Sequence, residues 1–161
     1  MPMTVEQRLE QRAKEPVARL LIRHLMVPRI FFDAPWPSAE SRVDLLAIDR
    51  AGTGDVHIVE IKRRAEDALR AIPSLMAIPA QFRWIAFFDD SATSLQKRGL
   101  SKSKRLFPLE ASGRIGVIEV LKMENDELSA NKMITAERFP GIYRQEAKAF
   151  VASHEADISF E

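Results

Sequence analysis

The chain has 161 residues, of which 46% are hydrophobic and 29% are charged, and its formal net charge is +1. These proportions are typical of one compact globular domain with a real core, and they exclude a disordered chain or a polycation. Because no cysteine is present, disulfides, thiolate zinc sites and cysteine nucleophiles are excluded. The three histidines lie far apart in the sequence, so a histidine zinc site is not expected.

No run of about 18 apolar residues is present, and the polar N-terminal segment lacks the apolar core of a secretory signal. We therefore expect a mature protein that begins near residue 1 and has no membrane partner. The absence of cysteine is compatible with a reducing compartment, and we expect a cytoplasmic location.

The first predicted element is a helix from Thr4 to about Met26, because apolar residues recur every three or four positions. Thr4 is expected to cap this helix together with Gln7, and Pro16 either kinks the helix or begins a second one. The later predicted elements are strands at 29–33, 42–49 and 56–62, a helix at 65–80, a strand at 82–88, a short helix at 91–98, strands at 114–121 and 128–138, and a helix at 143–154.

The order of these elements predicts the architecture. A glycine-containing turn at 51–54 joins the second and third strands, which should pair as an antiparallel hairpin. The segment 82–88 is almost continuously apolar, as in a strand that is buried on both faces. An antiparallel meander followed by a helical crossover gives a single α/β domain over residues 1–161, with a mixed central sheet flanked by helices.

Candidate metal-binding residues lie on the second and third strands. In the third strand, alternation places Glu60 and Lys62 on one face and His57 on the other. Asp44 interrupts the otherwise apolar second strand, and hairpin pairing brings it towards Glu60. Two neighbouring carboxylates repel each other, and burial adds a desolvation cost, so a bound dication would relieve both effects. Hard oxygen ligands of this kind suit Mg²⁺ or Mn²⁺.

A lysine beside such a metal is suited to positioning or deprotonating an attacking water and to offsetting phosphate charge. The pattern acid-x-Lys is weak by itself, since the chain also contains Glu146-Ala-Lys148. That second copy falls in the predicted C-terminal helix without an aspartate-bearing strand before it, and it is interpreted as solvated helix surface. The context of Glu60 and Lys62 therefore carries the hypothesis of phosphodiester hydrolysis.

The segments Arg42-Val-Asp-Leu-Leu-Ala-Ile-Asp49 and His57-Ile-Val-Glu-Ile-Lys62 resemble the core motif of the PD-(D/E)XK, or restriction-endonuclease-like, nuclease superfamily, in its RecB and Holliday-junction-resolvase types. The resemblance implies an αβββαβ core over about 4–121 and a C-terminal strand and helix extension over about 122–161. It also implies Mg²⁺-dependent cleavage of DNA in repair, recombination or defence. Asp44, Glu60 and the backbone carbonyl of Ile61 would bind the metal, and Lys62 would be catalytic.

The chain departs from this pattern at three places. Val43 stands where the family has proline, which is the least demanding part of the motif. The family often adds a glutamate from the first helix, for which Glu6, Glu10 and Glu15 compete; Glu15, beside Pro16, is favoured and Glu10 is the alternative. Many members also carry a glutamine in the helix after the lysine, and Gln81 is the candidate, although an ordinary polar role at the helix boundary competes with it.

The expected partner is DNA, and self-association into a homodimer is left open. Arg63 and Arg64 either bind DNA phosphates or are solvated charges. The basic cluster 97–105 is interpreted as a solvated face, and Trp36 as a packing residue rather than a base-stacking one. The rival hypothesis is a catalytically silent module of the same fold that binds DNA or a protein partner. A small phosphate ester as substrate is disfavoured because no glycine-rich phosphate loop is present.

Overall fold

The computed structural model describes residues 2–88 and 114–159. Within these ranges, six strands form one mixed sheet in the order β1 to β6, with helices on both faces. The elements are α1 (Val5–Ile22), β1 (Arg29–Ala34), β2 (Val43–Ile48), the short turn α2 (Asp49–Gly52), β3 (Val56–Lys62), α3 (Ala65–Met76), β4 (Phe82–Phe88), β5 (Gly116–Lys122), β6 (Leu128–Ile134) and α4 (Arg144–Ser153). The predicted mixed sheet flanked by helices is confirmed.

The sheet combines two kinds of pairing. β1, β2 and β3 form an antiparallel meander, β3, β4 and β5 run parallel, and β6 returns antiparallel to β5. The predicted C-terminal extension therefore contributes an integral strand, because β6 is hydrogen-bonded into the same sheet as the core strands. The segment after α4 also returns to the sheet, where Ile158 forms a bridge with Ile30 of β1.

Helix α1 begins as predicted, with a complete capping box between Thr4 and Gln7. It is continuous from Val5 to Ile22 with Pro16 in its interior, so of the two alternatives, a kink or a second helix that begins at Pro16, the second is wrong. Burial of Ala13, Val17 and Leu21 against the sheet stabilises the helix and offsets the backbone hydrogen bond that proline cannot make.

Two hydrophobic layers cover the sheet, one on each face. The layer on the α1 face includes Leu45, Val59 and Ile61, whereas the opposite layer, beneath α3 and α4, includes Leu46 and Ile58. Adjacent residues of β2 and β3 thus alternate between the two layers, as the period of a strand requires. This alternation fixes the register of the hairpin, because a slip of one residue would exchange the two faces.

The hairpin turn is tighter and more strained than a simple glycine loop. Arg50 and Ala51 both have left-handed backbone angles, with φ of 51° and 56°. The carboxylate of Asp49 holds the turn, since it accepts hydrogen bonds from the backbone amides of Met26 at 2.6 Å and Arg50 at 2.8 Å. Gly52 has φ of +93°, and a Cβ there would lie 2.8 Å from Val151 of α4, so glycine is required on both counts.

Several predicted boundaries differ from the structure. Helix α3 ends at Met76, before Pro79, and β6 ends at Ile134 instead of 138. The predicted helix at 91–98, the loop after it and the basic cluster 97–105 lie outside the described residues. No helix among the described residues is long and apolar enough to cross a membrane.

Candidate metal centre

Asp44 and Glu60 lie side by side on neighbouring strands. The antiparallel register pairs Leu45 with Val59, which puts Asp44 directly across from Glu60 on the face beneath α3. The backbone amide of Ile61 donates to Oδ2 of Asp44 at 2.7 Å, while the carboxyl group of Glu60 is hydrogen-bonded to both the side chain and the backbone amide of Asp44. The two carboxyl groups therefore converge, as the sequence predicted.

Lys62 is the next residue on the same face of β3. Its Nζ lies 3.9 Å from Oε2 of Glu60, and the two side chains are 35% and 17% exposed. A separation of 3.9 Å is too long for a hydrogen bond, so Lys62 offsets only part of the cost of burying the carboxylates. Its ammonium group is left able to bind another negatively charged group.

The electrostatics of the pair disfavour ionisation of both carboxyl groups at once. Burial, together with the negative charge of Asp44, raises the pKa of Glu60 to about 8. Burial also raises the pKa of Asp44 above its ordinary value, although the amide of Ile61 and the charges of Lys62 and Lys14 oppose this increase. A bound dication would relieve this cost, which is the expectation that the sequence raised.

An open cleft with a volume of about 910 Å³ leads to Glu60 and Lys62. Arg63 also lines it, and Asp44 lies behind Glu60 outside the lining. Arg64 is exposed at the residue before α3 and is not part of this lining. The guanidinium of Arg63 lies 5.3 Å from the ring centre of Phe88, which fixes it near the end of the sheet.

The structure brings Glu10, not Glu15, to the cleft. Glu15 forms an exposed pair with Arg19 one turn along α1, at 2.5 Å, and lines a different cavity. The preference for Glu15 is therefore corrected, and the reason lies in the phase of the helix. At 3.6 residues per turn, Glu10 points within about 20° of the buried Val17, whereas Glu15 points about 160° away.

Gln81 does not reach the candidate centre. It precedes β4 at the other end of the sheet, where its Oε1 accepts from the amide of Val56 at 2.7 Å and its Nε2 donates to the carbonyl of Gly141 at 3.1 Å. Its side chain is buried and its hydrogen bonds hold the segment before α4 against the sheet. Of the two roles that the sequence left open for Gln81, nucleic-acid binding at the family's glutamine position and an ordinary polar role at the helix boundary, these contacts favour the second.

Two other residues take the positions expected of packing residues. Trp36 is fully buried, donates from Nε1 to the carbonyl of Pro79 at 2.8 Å, and packs edge-on against Phe150. His57 lies on the α1 face, where its Nδ1 accepts from Nε1 of Trp84 at 3.3 Å and burial lowers its pKa to about 4. It is a neutral core residue, away from Glu60.

One ion pair beside the centre, between a buried lysine and a half-exposed aspartate, was not anticipated. Lys14 of α1 is 4% exposed, and its Nζ contacts Oδ2 of Asp33 at 2.5 Å and Oε1 of Gln11 at 2.6 Å. In the pairing of β1 with β2, Asp33 lies opposite Asp44. The left-handed φ of 49° at Asp33 breaks the alternation of β1. Lys14 therefore neutralises a carboxylate that would otherwise add a third negative charge beside Asp44 and Glu60.

The donor set fits a magnesium-type ion that keeps several waters. Among residues 2–88 and 114–159, no group of three or more His, Cys, Asp or Glu side chains converges closely enough to hold a metal. Mg²⁺ is commonly bound by one or two carboxylates, with water and substrate phosphate completing its octahedral shell. Asp44 and Glu60 meet that requirement, whereas a closed structural zinc site needs four protein ligands.

Comparisons with known proteins show similarity of fold alone. The chain matches no protein-family model and no curated protein. Its structure is similar to that of SPO1766, a protein of unknown function from Silicibacter pomeroyi, with a TM-score of 0.56 and 12% identity over 94% of this chain and 84% of that one. The structure of SfsA from Pyrococcus furiosus in complex with Ca²⁺ gives a TM-score of 0.44 and 20% identity over 81% of this chain and 64% of that one.

The TM-score of 0.56 supports a shared mixed α/β architecture with SPO1766. The lower score for SfsA supports no argument about function, and this chain spans less than two thirds of its length. The class that the fold defines is therefore an α/β protein with a six-stranded mixed sheet in its described residues. Any assignment of activity must come from the centre itself.

Proposed function

We propose that this protein is a metal-dependent nuclease of the PD-(D/E)XK type that hydrolyses DNA phosphodiester bonds. The observation that carries the proposal is the hairpin register, which sets Asp44 beside Glu60 with Lys62 on the same face, where Glu60 and Lys62 line an open cleft. Fold likeness contributes nothing to the choice of activity. The argument rests on the chemistry of these three side chains.

Asp44 and Glu60 would hold Mg²⁺ or Mn²⁺, with the backbone carbonyl of Ile61 as a further ligand and Glu10 as the acidic residue that α1 brings to the cleft. Such an ion supplies Lewis-acid polarisation of the phosphate and a bound water of lowered pKa. The ammonium of Lys62 would bind a non-bridging phosphate oxygen and orient the attacking water. The recessed position of Glu60 limits how much solvent competes for these contacts.

The proposal is tested by incubating purified protein with labelled single-stranded, duplex and branched DNA in the presence of Mg²⁺ or Mn²⁺. We expect metal-dependent cleavage that EDTA stops, and a loss of at least about a hundredfold in rate for Glu60→Gln and for Lys62→Ala. The chain offers a matched control, because Glu146→Gln and Lys148→Ala change the second acid-x-Lys tripeptide on the surface of α4. Equal activity in all four variants would point to a contaminant and refute the proposal.

A second candidate is the catalytically silent binding module, favoured by the finding that two carboxyl groups, not three, converge within the described part of the chain. The two candidates differ in their response to metal. A nuclease centre predicts that Mn²⁺ raises the unfolding temperature of the wild type but not of Asp44→Asn. An identical response in the two proteins, together with DNA binding without cleavage, would favour the module.

A further inference from the structure

The cleft above Glu60 has two walls of different character. Helix α3 forms one wall and presents the small side chains of Ala71 and Ser74 beside the exposed Arg70. The other wall is the segment before β2, including Glu40 and Arg42. Small side chains on a helix allow a ligand to approach its backbone closely, so this wall leaves room for a ligand beside α3.

The charge of the lining is balanced rather than uniformly positive. Four acidic residues and four basic residues line the cleft: Glu10, Glu40, Glu60 and Asp67, and Arg42, Lys62, Arg63 and Arg70. A DNA duplex carries one charge per roughly 1.7 Å of its axis, and a single strand about one per 3.4 Å. The four cations of this lining can neutralise a short stretch of one backbone, whereas the denser charge of a duplex would also meet its four carboxyl groups.

Two arginines of the lining, Arg42 and Arg70, are placed to bind that backbone at points beyond the carboxyl pair. Arg70 is 81% exposed in its side chain, and its contact with Asp67 is a 3.7 Å surface pair that costs little to replace. On the opposite wall, Nη1 of Arg42 donates to the carbonyl of Asp33 at 2.9 Å, which orients the guanidinium without neutralising it. A phosphate-bearing strand between the two walls would meet both.

We propose that the ligand of this cleft is single-stranded DNA, which lies along α3 with its phosphates bound by Arg42 and Arg70. The inference rests on the proposed nuclease function for its choice of nucleic acid, and it adds the form of the substrate and the path that it takes. Helix α3 has 12 residues, so at 1.5 Å per residue it is about 18 Å long and spans only a few phosphates. The cleft therefore selects a short, locally unpaired segment.

The test measures binding, so that it is independent of cleavage. Fluorescence anisotropy in EDTA would compare a labelled single-stranded 20-mer with a hairpin duplex of the same nucleotide number, each titrated over a range of salt. We expect the single strand to bind at least about tenfold more tightly than the duplex. Arg42→Ala and Arg70→Ala should each weaken single-strand binding about fivefold and reduce the slope of log K against log salt by about 0.7.

Arg19→Ala is the matched control, because Arg19 is also an exposed helical arginine in a pair with an acidic residue of its own helix, outside the cleft. Its affinity and salt slope should equal those of the wild type. Equal or tighter binding of the duplex, no binding of either DNA, or unchanged slopes in both cleft variants would overturn the inference. Cleavage without strand preference would overturn the single-strand inference and leave the nuclease proposal standing. Binding with the expected slopes but without cleavage would overturn only the nuclease proposal.

Discussion

Replacing Glu60 by glutamine should make the metal-free protein more stable, although it removes a proposed ligand. In the folded protein the pKa of Glu60 is raised from 4.5 to about 8, mainly by burial and then by the charge of Asp44. A group whose pKa is raised on folding contributes stability that is fully present below its unfolded pKa and is lost as the pH rises towards its folded pKa. The relevant window is therefore from pH 4.5 to about 8.

The magnitude follows from the same shift. Neutral pH lies about 2.5 units above the unfolded pKa, and each unit corresponds to about 1.4 kcal/mol, so ionisable Glu60 costs about 3 kcal/mol of folding free energy at pH 7. Glutamine has nearly the same volume and carries no charge to desolvate. The free energy of unfolding of Glu60→Gln at pH 7 should exceed that of the wild type by about 1–3 kcal/mol, and the gain should fall below about 1 kcal/mol at pH 5.

Urea unfolding in EDTA at pH 5, 6, 7 and 8 would measure this difference. Glu15→Gln is the control, since Glu15 is exposed and paired with Arg19, and it should show no gain that depends on pH. Saturating Mn²⁺ should reverse the order of stability between the wild type and Glu60→Gln, because only the wild type retains both carboxylates. A variant that is less stable than the wild type at pH 7 without metal, or a gain that is equal at pH 5 and pH 7, would refute the reasoning.

Three further outcomes are expected. Lys14→Met should lower the free energy of unfolding by about 0.5–1 kcal/mol, because the half-exposed Asp33 loses its partner, and Asp33→Asn in that background should recover part of the loss in urea unfolding. His57 should make stability fall at low pH, because the unfolded chain protonates it near pH 6.5 whereas the folded protein does so only near pH 4. In the Glu60→Gln background, which removes the opposite pH dependence due to Glu60, the free energy of unfolding should fall by about 3 kcal/mol between pH 6.5 and pH 4. His57→Phe should flatten that profile. Arg83→Met should cost about 2 kcal/mol in the same assay, since its guanidinium donates to carbonyls at the end of α3; a cost below about 0.5 kcal/mol would contradict that role.

The strands and the hairpin could be predicted because their signals are local. Alternation along 56–62 and the short turn before it were enough to place Asp44 opposite Glu60, and the structure has that pairing. The continuity of α1 through Pro16 was harder to predict from the sequence. The disruption expected of a proline is a local effect, whereas the packing that overcomes it comes from residues of distant strands. The glutamate that lines the cleft could still have been found from the buried stripe of the helix, on which Glu10 lies and Glu15 does not.

The Lys14–Asp33 pair and the role of Gln81 depend on contacts between segments far apart in the chain. Asp33 precedes a proline-rich loop, and its left-handed φ has no signal in a run of strand-forming residues. Gln81 holds residues 25 and 60 positions away, which a family pattern placed on a helix could not indicate. These features follow from tertiary packing, for which the local sequence carries no signal.

The strict alternation of β2 and β3 between two hydrophobic layers has a consequence for how the centre tolerates change. Leu45 and Val59 lie in one layer, and Leu46 and Ile58 in the other, so the register cannot shift without burying polar side chains on both faces. This packing fixes the strand register that places Asp44 opposite Glu60. Exchanging one apolar residue of the hairpin for a polar one therefore endangers a centre that the exchanged residue never touches.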